Sequence, residues 1–297
     1  MFQDNKGGII VEVHHLRGKA SAFHLHSDAV LNAAEGLDYF RETRDLYATI
    51  LDAAKPSGYD SDAMFEVLEN TCELIQKDRI DASLIGMESL CVLTDADRVG
   101  QKCAKITSRA VLLGEVDQAE VEAQPPALSL VDDSSSDSDI DADDVDELGL
   151  MSVVSSLVRD KRFLGDEDAS SDNPAFAWHI GQMRLLALTV LENALKIMMQ
   201  RSKKLQSRIV RNMMTNQMFE AMVRDVSEAE GSTHEAYLSV RCLSLLSTMS
   251  EAGQESVLDA GAVAALERAL VYGQKYHSLL AAVSAELLNT IRNDSLM

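Results

Sequence analysis

Four histidines crowd the N-terminal stretch of the chain: His14, His15, His24 and His26. Imidazole is a good metal ligand, but no cysteine or carboxylate stands beside them at a metal-site spacing. They read as decoration on a helix pair, and no metal or cofactor is expected. A second cluster is basic: Lys196, Arg201, Lys203, Lys204, Arg208 and Arg211, interleaved with Met198, Met199, Met213 and Met214. It could receive an acidic ligand, this chain's own acidic tract included, although a charge run reads first as a solvated helix junction. Ser134, Ser135, Ser136 and Ser138 sit among acidic residues and resemble the sites of acidophilic kinases. Phosphates there would add charge to an already negative tether. No glycine-rich phosphate loop, His-Glu-x-x-His, Gly-x-Ser-x-Gly or kinase set is present, so no catalytic residues and no enzyme are expected.

Net charge over the 297 residues is −21. That balance disfavours nucleic acid, whose phosphates need Lys and Arg, and equally an anionic membrane surface. The charge is local. Positions 115–147 hold thirteen Asp or Glu, and no Lys or Arg falls between Arg109 and Arg159. The four cysteines, Cys72, Cys91, Cys103 and Cys242, are scattered without a CxxC, which suits buried, reduced thiols. No run approaches the ~18 apolar residues of a spanning helix, and no apolar leader follows Met1. The expected setting is cytoplasmic and/or nuclear.

Few aromatics (5%), 15 Gly and 4 Pro favour helices. Positions 9–114 read as helical, with Gly7-Gly8-Ile9-Ile10-Val11 entering abruptly, as though Met1 begins partway into a repeat. Helices are expected over Ser27–Phe40, Thr43–Ala54, Asp62–Gln76, Asp81–Leu93 and Asp97–Leu113. The last opens on a capping-box-like Thr94-Asp95-Ala96-Asp97 and stops at Gly114. Positions 115–148 hold too little apolar area to offset chain entropy and read as a disordered acidic linker. After a short helix over Leu148–Arg159 and a second acidic loop, Pro174 stands where a first helical residue belongs. Helices follow over Ala175–Gln200, Ser207–Ala229, Thr233–Ser250, Gln254–Leu258, Val263–Tyr272 and His277–Asn293. The expected layout is thus helical repeats over 1–114, the linker, and helical repeats over 149–297.

Internal echoes organise these helices. Ala63-Met64-Phe65-Glu66-Val67-Leu68 returns as Gln217-Met218-Phe219-Glu220-Ala221-Met222 and again around Leu266. The apolar helix around Leu90 returns around Leu245 and Leu287. Intervals of ~40–47 residues match armadillo or HEAT solenoids. One helix pair cannot bury its apolar face alone, so neighbours must supply the rest of its core. Val257-Leu258-Asp259-Ala260-Gly261-Ala262-Val263, followed by a long helix ending in Leu287-Leu288-Asn289, resembles the armadillo family over 206–291, although Ala264 stands where the family has proline. The resemblance implies an all-α, armadillo/HEAT-like right-handed α-solenoid whose third helices line a concave groove. In that groove an Asn amide can hydrogen-bond an extended peptide. Asn289 holds that position by resemblance, Asn193 and Asn32 are further candidates, and Ser247 breaks the ladder. The tryptophans of nuclear-import adaptors are missing. The expected function is a protein-binding adaptor or scaffold, as a monomer or within a larger complex. The alternative is a structural or regulatory block of such a complex with no groove of its own.

Overall fold

The computed structural model describes residues 2–3, 9–14, 20–25, 61–76, 80–115, 149–159 and 174–294. Three short strands, β1 (Phe2–Gln3), β2 (Ile9–His14) and β3 (Ala20–Leu25), form an antiparallel sheet in chain order, with Ile9 opposite Leu25 and His14 opposite Ala20. This corrects the helical reading of the chain from position 9. Ile9, Ile10, Val11 and Val13 are β-branched, so each loses rotamer freedom in a helix and packs well on a pleated surface. The histidines are corrected with them. His14 stands in β2 and His24 in β3 opposite Ile10, not on a helix pair. His15, His26, Asn32 and the helices expected over Ser27–Phe40 and Thr43–Ala54 lie outside the described residues, as do Ser134, Ser135, Ser136 and Ser138.

The other described elements are helices: α1 (Ser61–Gln76), α2 (Ile80–Leu93), α3 (Ala96–Leu113), α4 (Leu150–Arg159), α5 (Pro174–Met198), α6 (Lys203–Thr215), α7 (Met218–Ser227), α8 (Thr233–Met249), α9 (Glu251–Asp259), α10 (Ala262–Tyr276) and α11 (Ser278–Asp294). Each packs on the helix three places further along: α1 on α4, α2 on α5, α3 on α6, and so on to α8 on α11. That pattern defines three rows. The first row is α3, α6 and α9, the second is α1, α4, α7 and α10, and the third is α2, α5, α8 and α11. The molecule is therefore an armadillo-like stack of three-helix units, α3–α4–α5, α6–α7–α8 and α9–α10–α11, preceded by α1–α2. The Phe65, Phe219 and Leu266 echoes all fall in the second row, and the Leu90, Leu245 and Leu287 echoes in the third. The copy formed by α4 and α5 escapes the sequence comparison.

One apolar core runs from Val67 to Ile291 across all these units. Each fully buried Leu, Ile or Phe in it contributes about 1.5–3 kcal/mol, which no isolated helix pair could collect. No helix among the described residues is long and apolar enough to cross a membrane.

The rows meet at a recurring joint. The residue just before each of α4, α7 and α10 has positive φ: Gly149 (70°), Gln217 (55°) and Gly261 (80°). Between α6 and α7 the joint is Asn216-Gln217, and between α9 and α10 it is Ala260-Gly261. The single helix expected over Ser207–Ala229 is therefore two helices. No Gly or Pro marks the break. Instead, the Asn216 amide donates to the carbonyl of Asn212 at 3.0 Å as α6 ends, and Gln217 takes a left-handed conformation that costs about 1–2 kcal/mol. Burial of Met218 and Phe219 immediately after it offsets that cost. A smaller correction concerns α3. Its cap is Asp95, whose carboxylate accepts from the Asp97 amide at 3.0 Å, whereas the Thr94 hydroxyl turns back to Leu90. The helix also breaks locally at Gly100, where φ is 81°, before ending at Gly114 with φ 70°.

Candidate functional site

One buried arginine ties the second and third rows together. Arg184 interrupts the apolar face of α5 and is 2% exposed. Its guanidinium donates to the Val158 carbonyl in the last turn of α4 at 3.0 Å, to the Asp225 carboxylate on α7, and to Glu235 on α8 at 2.7 Å. Ser239 completes the set by donating to Asp225 at 3.1 Å. A planar guanidinium with five fixed donors suits such branching. The cluster locks four helices and two successive units together, and so fixes how α5 and α8 lie side by side.

Further along the same two helices lies a second polar group. Glu192 on α5, itself buried, accepts from Lys196 at 2.7 Å and from Arg241 on α8. Arg241 also donates to the Tyr237 hydroxyl at 3.0 Å and lies 5.6 Å from the centre of that ring. Burial alone would lower the Arg241 pKa, but the Tyr237 hydrogen bond and the Glu192 charge outweigh it and carry the pKa upward. His277 stands next to this group, its ring 6.1 Å from that of Tyr237 and 5.9 Å from that of His234. Its Nδ1 accepts from the Leu280 amide at 3.1 Å, capping the start of α11. The face thus offers fixed donors, an aromatic edge and half-buried apolar side chains such as Leu185, Leu238 and Leu245.

The side chains expected to bind a peptide stand at three depths. Asn193 is half-buried next to Glu192, Asn289 is exposed on α11, and Ser247 is buried with its hydroxyl donated to Ser244 of its own helix. Sequence reasoning missed Arg184 and the Glu192–Arg241 pair. The available signal was a single arginine within the apolar run of α5, and a glutamate between Leu191 and Asn193.

Cys91 and Cys242 are poor nucleophiles. None of the four cysteines is in a disulfide, and Cys72, Cys103 and Cys242 are buried. Burial pushes the Cys91 thiol far up, and the neighbouring Glu88 adds to the effect. Its Sγ rests 3.4 Å from the Leu186 carbonyl. Cys242 is raised in the same way. A thiol that cannot become a thiolate neither attacks nor ligates. Burial also lifts the Glu88 carboxyl to about 7, against the pull of Arg98. Among the described residues no three His, Cys, Asp or Glu side chains gather as a metal site would require.

No protein-family model and no curated protein matches the chain. Among solved structures, the chain is similar to two engineered proteins from a structural genomics consortium. One has 13% identity and a TM-score of 0.41 over 84% of this chain and 92% of the other; the second has 11% and 0.42 over 86% and 92%. A designed armadillo repeat protein is similar at 10% identity and a TM-score of 0.38, over 84% of this chain and 92% of that one.

Proposed function

We propose that the chain is a non-enzymatic adaptor that holds a segment of a partner protein across its third-row face. The observation that supports this is the side-by-side setting of α5, α8 and α11. There Asn193, the Arg241–Tyr237 pair and Asn289 expose donors and acceptors between apolar side chains. An extended segment could exchange main-chain hydrogen bonds with the two amides while Arg241 gives it a polar anchor. Ser247 is spent within its own helix, and Arg241 takes its place. In this reading Asn32 extends the same series. Thiols that form no disulfide suit a reducing compartment, so the cytosol or the nucleus is the proposed setting.

The test uses a partner identified by proximity labelling and then purified. Asn193→Ala combined with Arg241→Ala should weaken its binding at least tenfold with the circular dichroism unchanged. Undiminished binding refutes the face as the site. A second reading, a structural block within a larger assembly, is favoured by Val271, Tyr276 and Leu279, which are 69%, 62% and 60% exposed on the α10–α11 unit. Large exposed apolar side chains gathered on one unit mark contact surfaces. Light scattering over a concentration series tests it. A strictly monomeric chain whose mass does not change when Val271 and Leu279 become Ser removes that reading.

A further inference from the structure

The first row carries a different signature from the third. α3 and α6 pack on one another, and after Asp97 neither contains an acidic residue. Their register is set at three places. Arg201, just ahead of α6, stands near Lys105 of α3, whose proton affinity is lowered first by burial and then by that neighbouring charge. Arg109 of α3 holds one carboxylate oxygen of Glu115 at 2.9 Å, and Arg208 of α6 holds the other. The Asn212 amide lies 2.6 Å from the Leu112 carbonyl. The positions rise together on both helices, so α3 and α6 run the same way and their cations meet along one ridge. The Arg208–Glu115 and Asn212–Leu112 pairs span 93 and 100 positions, which is why only the α6 half of the ridge shows as a basic cluster in the sequence. The same Asn212 amide lies 2.6 Å from the sulfur of Met151, the second residue of α4. The chain thus leaves and re-enters the fold beside a single turn of α6, and residues 115–148 are an insertion into a joint that the next two units close in two residues.

The ridge lacks countercharge. Among the described residues no carboxylate pairs with Lys105, Arg201, Lys204 or Arg211. Lys204, Arg208 and Arg211 stand at i, i+4 and i+7, so they share one face over about 10 Å of helix. Crowded cations repel one another, and an incoming anion relieves that repulsion. Two features say which anion fits. Carboxylate is the group the ridge already holds, at Glu115. Neither helix has an aromatic side chain on which a base would stack, whereas Met214, next to Arg211 and 48% exposed, offers the adaptable apolar contact that protein segments use.

We propose that the α3–α6 ridge docks an acidic segment of a partner protein, whose carboxylates pair with Lys105, Arg201 and Lys204 as Glu115 pairs with Arg109 and Arg208. The proposal concerns the first row and stands whether or not the third-row face binds. The probe is a fluorescein-labelled peptide of twelve glutamates, followed by anisotropy at about 50 mM and about 300 mM NaCl. A labelled twelve-residue glutamine peptide and a labelled twelve-nucleotide oligothymidylate are run beside it. Three full-length chains are compared: the natural sequence, Arg201→Glu/Lys204→Glu on the ridge, and Arg268→Glu/Lys275→Glu on α10. The two double variants change the net charge equally, and circular dichroism checks that each is folded. The natural chain should bind the glutamate peptide saturably at low salt, at least tenfold more weakly at high salt, and should ignore the glutamine peptide. Ridge reversal should weaken binding at least tenfold, and the α10 reversal less than twofold. Absence of binding by the natural chain shows that the ridge takes no acidic segment. Equal losses in the two reversals show a response to net charge and not to the ridge. Oligothymidylate bound as tightly as the glutamate peptide shows a surface for nucleic acid. Each of these three outcomes overturns the proposal.

Discussion

Removing Arg184 should destabilise the stack more than any other single charge change in the described residues. In Arg184→Met the carboxylates of Asp225 and Glu235 keep their buried positions but lose their countercharge, and the Val158 carbonyl loses a donor. Breaking a buried ion pair from one side costs about 3–5 kcal/mol, most of it for leaving the partner charge uncompensated. The lost hydrogen bond to Val158 is about 1 kcal/mol by itself. It belongs to the same network and does not add in full. Against a total stability of about 5–15 kcal/mol, the single variant should lose roughly a fifth or more. Urea unfolding followed at 222 nm measures it. The origin of the cost makes a second demand. In Arg184→Met/Asp225→Asn/Glu235→Gln no charge is stranded, and Ser239 keeps an acceptor. That triple variant should be at least 2 kcal/mol more stable than the single one at pH 7. Lowering the pH should also narrow the gap between the single and the triple variant, because only the single one has stranded carboxylates to protonate. A loss below about 1 kcal/mol for Arg184→Met, or a triple variant as weak as the single, refutes the reasoning.

Deleting 115–148 should leave Gly114-Gly149 as a two-residue joint like Asn216-Gln217 and Ala260-Gly261. Four halvings of loop length return about 2.5 kcal/mol and the half-buried Glu115 pairs cost about 1 kcal/mol, so a rise of about 1–2 kcal/mol in urea unfolding is expected, and a drop contradicts the insertion reading. Gln217→Gly should stabilise by about 0.5–1 kcal/mol, since glycine takes positive φ without a steric cost, and a loss would show that the Gln217 side chain matters more than its backbone. The Glu88 carboxyl, lifted from 4.5 to about 7, favours its neutral form in the fold. Its contribution is therefore complete below pH 4.5 and fades as pH rises through about 7. Glu88→Gln should exceed the natural chain by about 1–2 kcal/mol at pH 8, after allowance for its partial solvent contact, and match it near pH 4.5; a pH-independent difference refutes the assignment.

What could be read in the sequence was what repeats within one helix. Phe219, Leu266, Leu90 and Leu287 are all buried anchors, so their echoes survive in the spelling of the chain, and the second and third rows follow from them. Features that depend on partners far along the chain left little trace. Arg184 reads as a lone charge until Asp225 and Glu235, 41 and 51 positions away, close around it. The break at Gln217 has no glycine to announce it because burial of the next two side chains, rather than turn propensity, holds the joint. The strands misread as helix contain apolar residues too close together to show either period clearly, and the choice falls to β-branching at Ile9, Ile10 and Val11.

The α4–α5 copy was hidden for a more specific reason. Its first helix, α3, stands in sequence beside α2, while its second helix waits beyond the acidic tract. A comparison by spacing therefore assigns α3 to the block before the tract and α4 to the block after it. Packing assigns them together: α3 and α4 touch each other and both lie against α5. The apolar core passes through this unit without interruption. A tract joining two independent blocks would have no reason to begin and end at one turn of α6. An insertion into a joint that two neighbouring units close with two residues has to do so, because α3 and α4 must still meet.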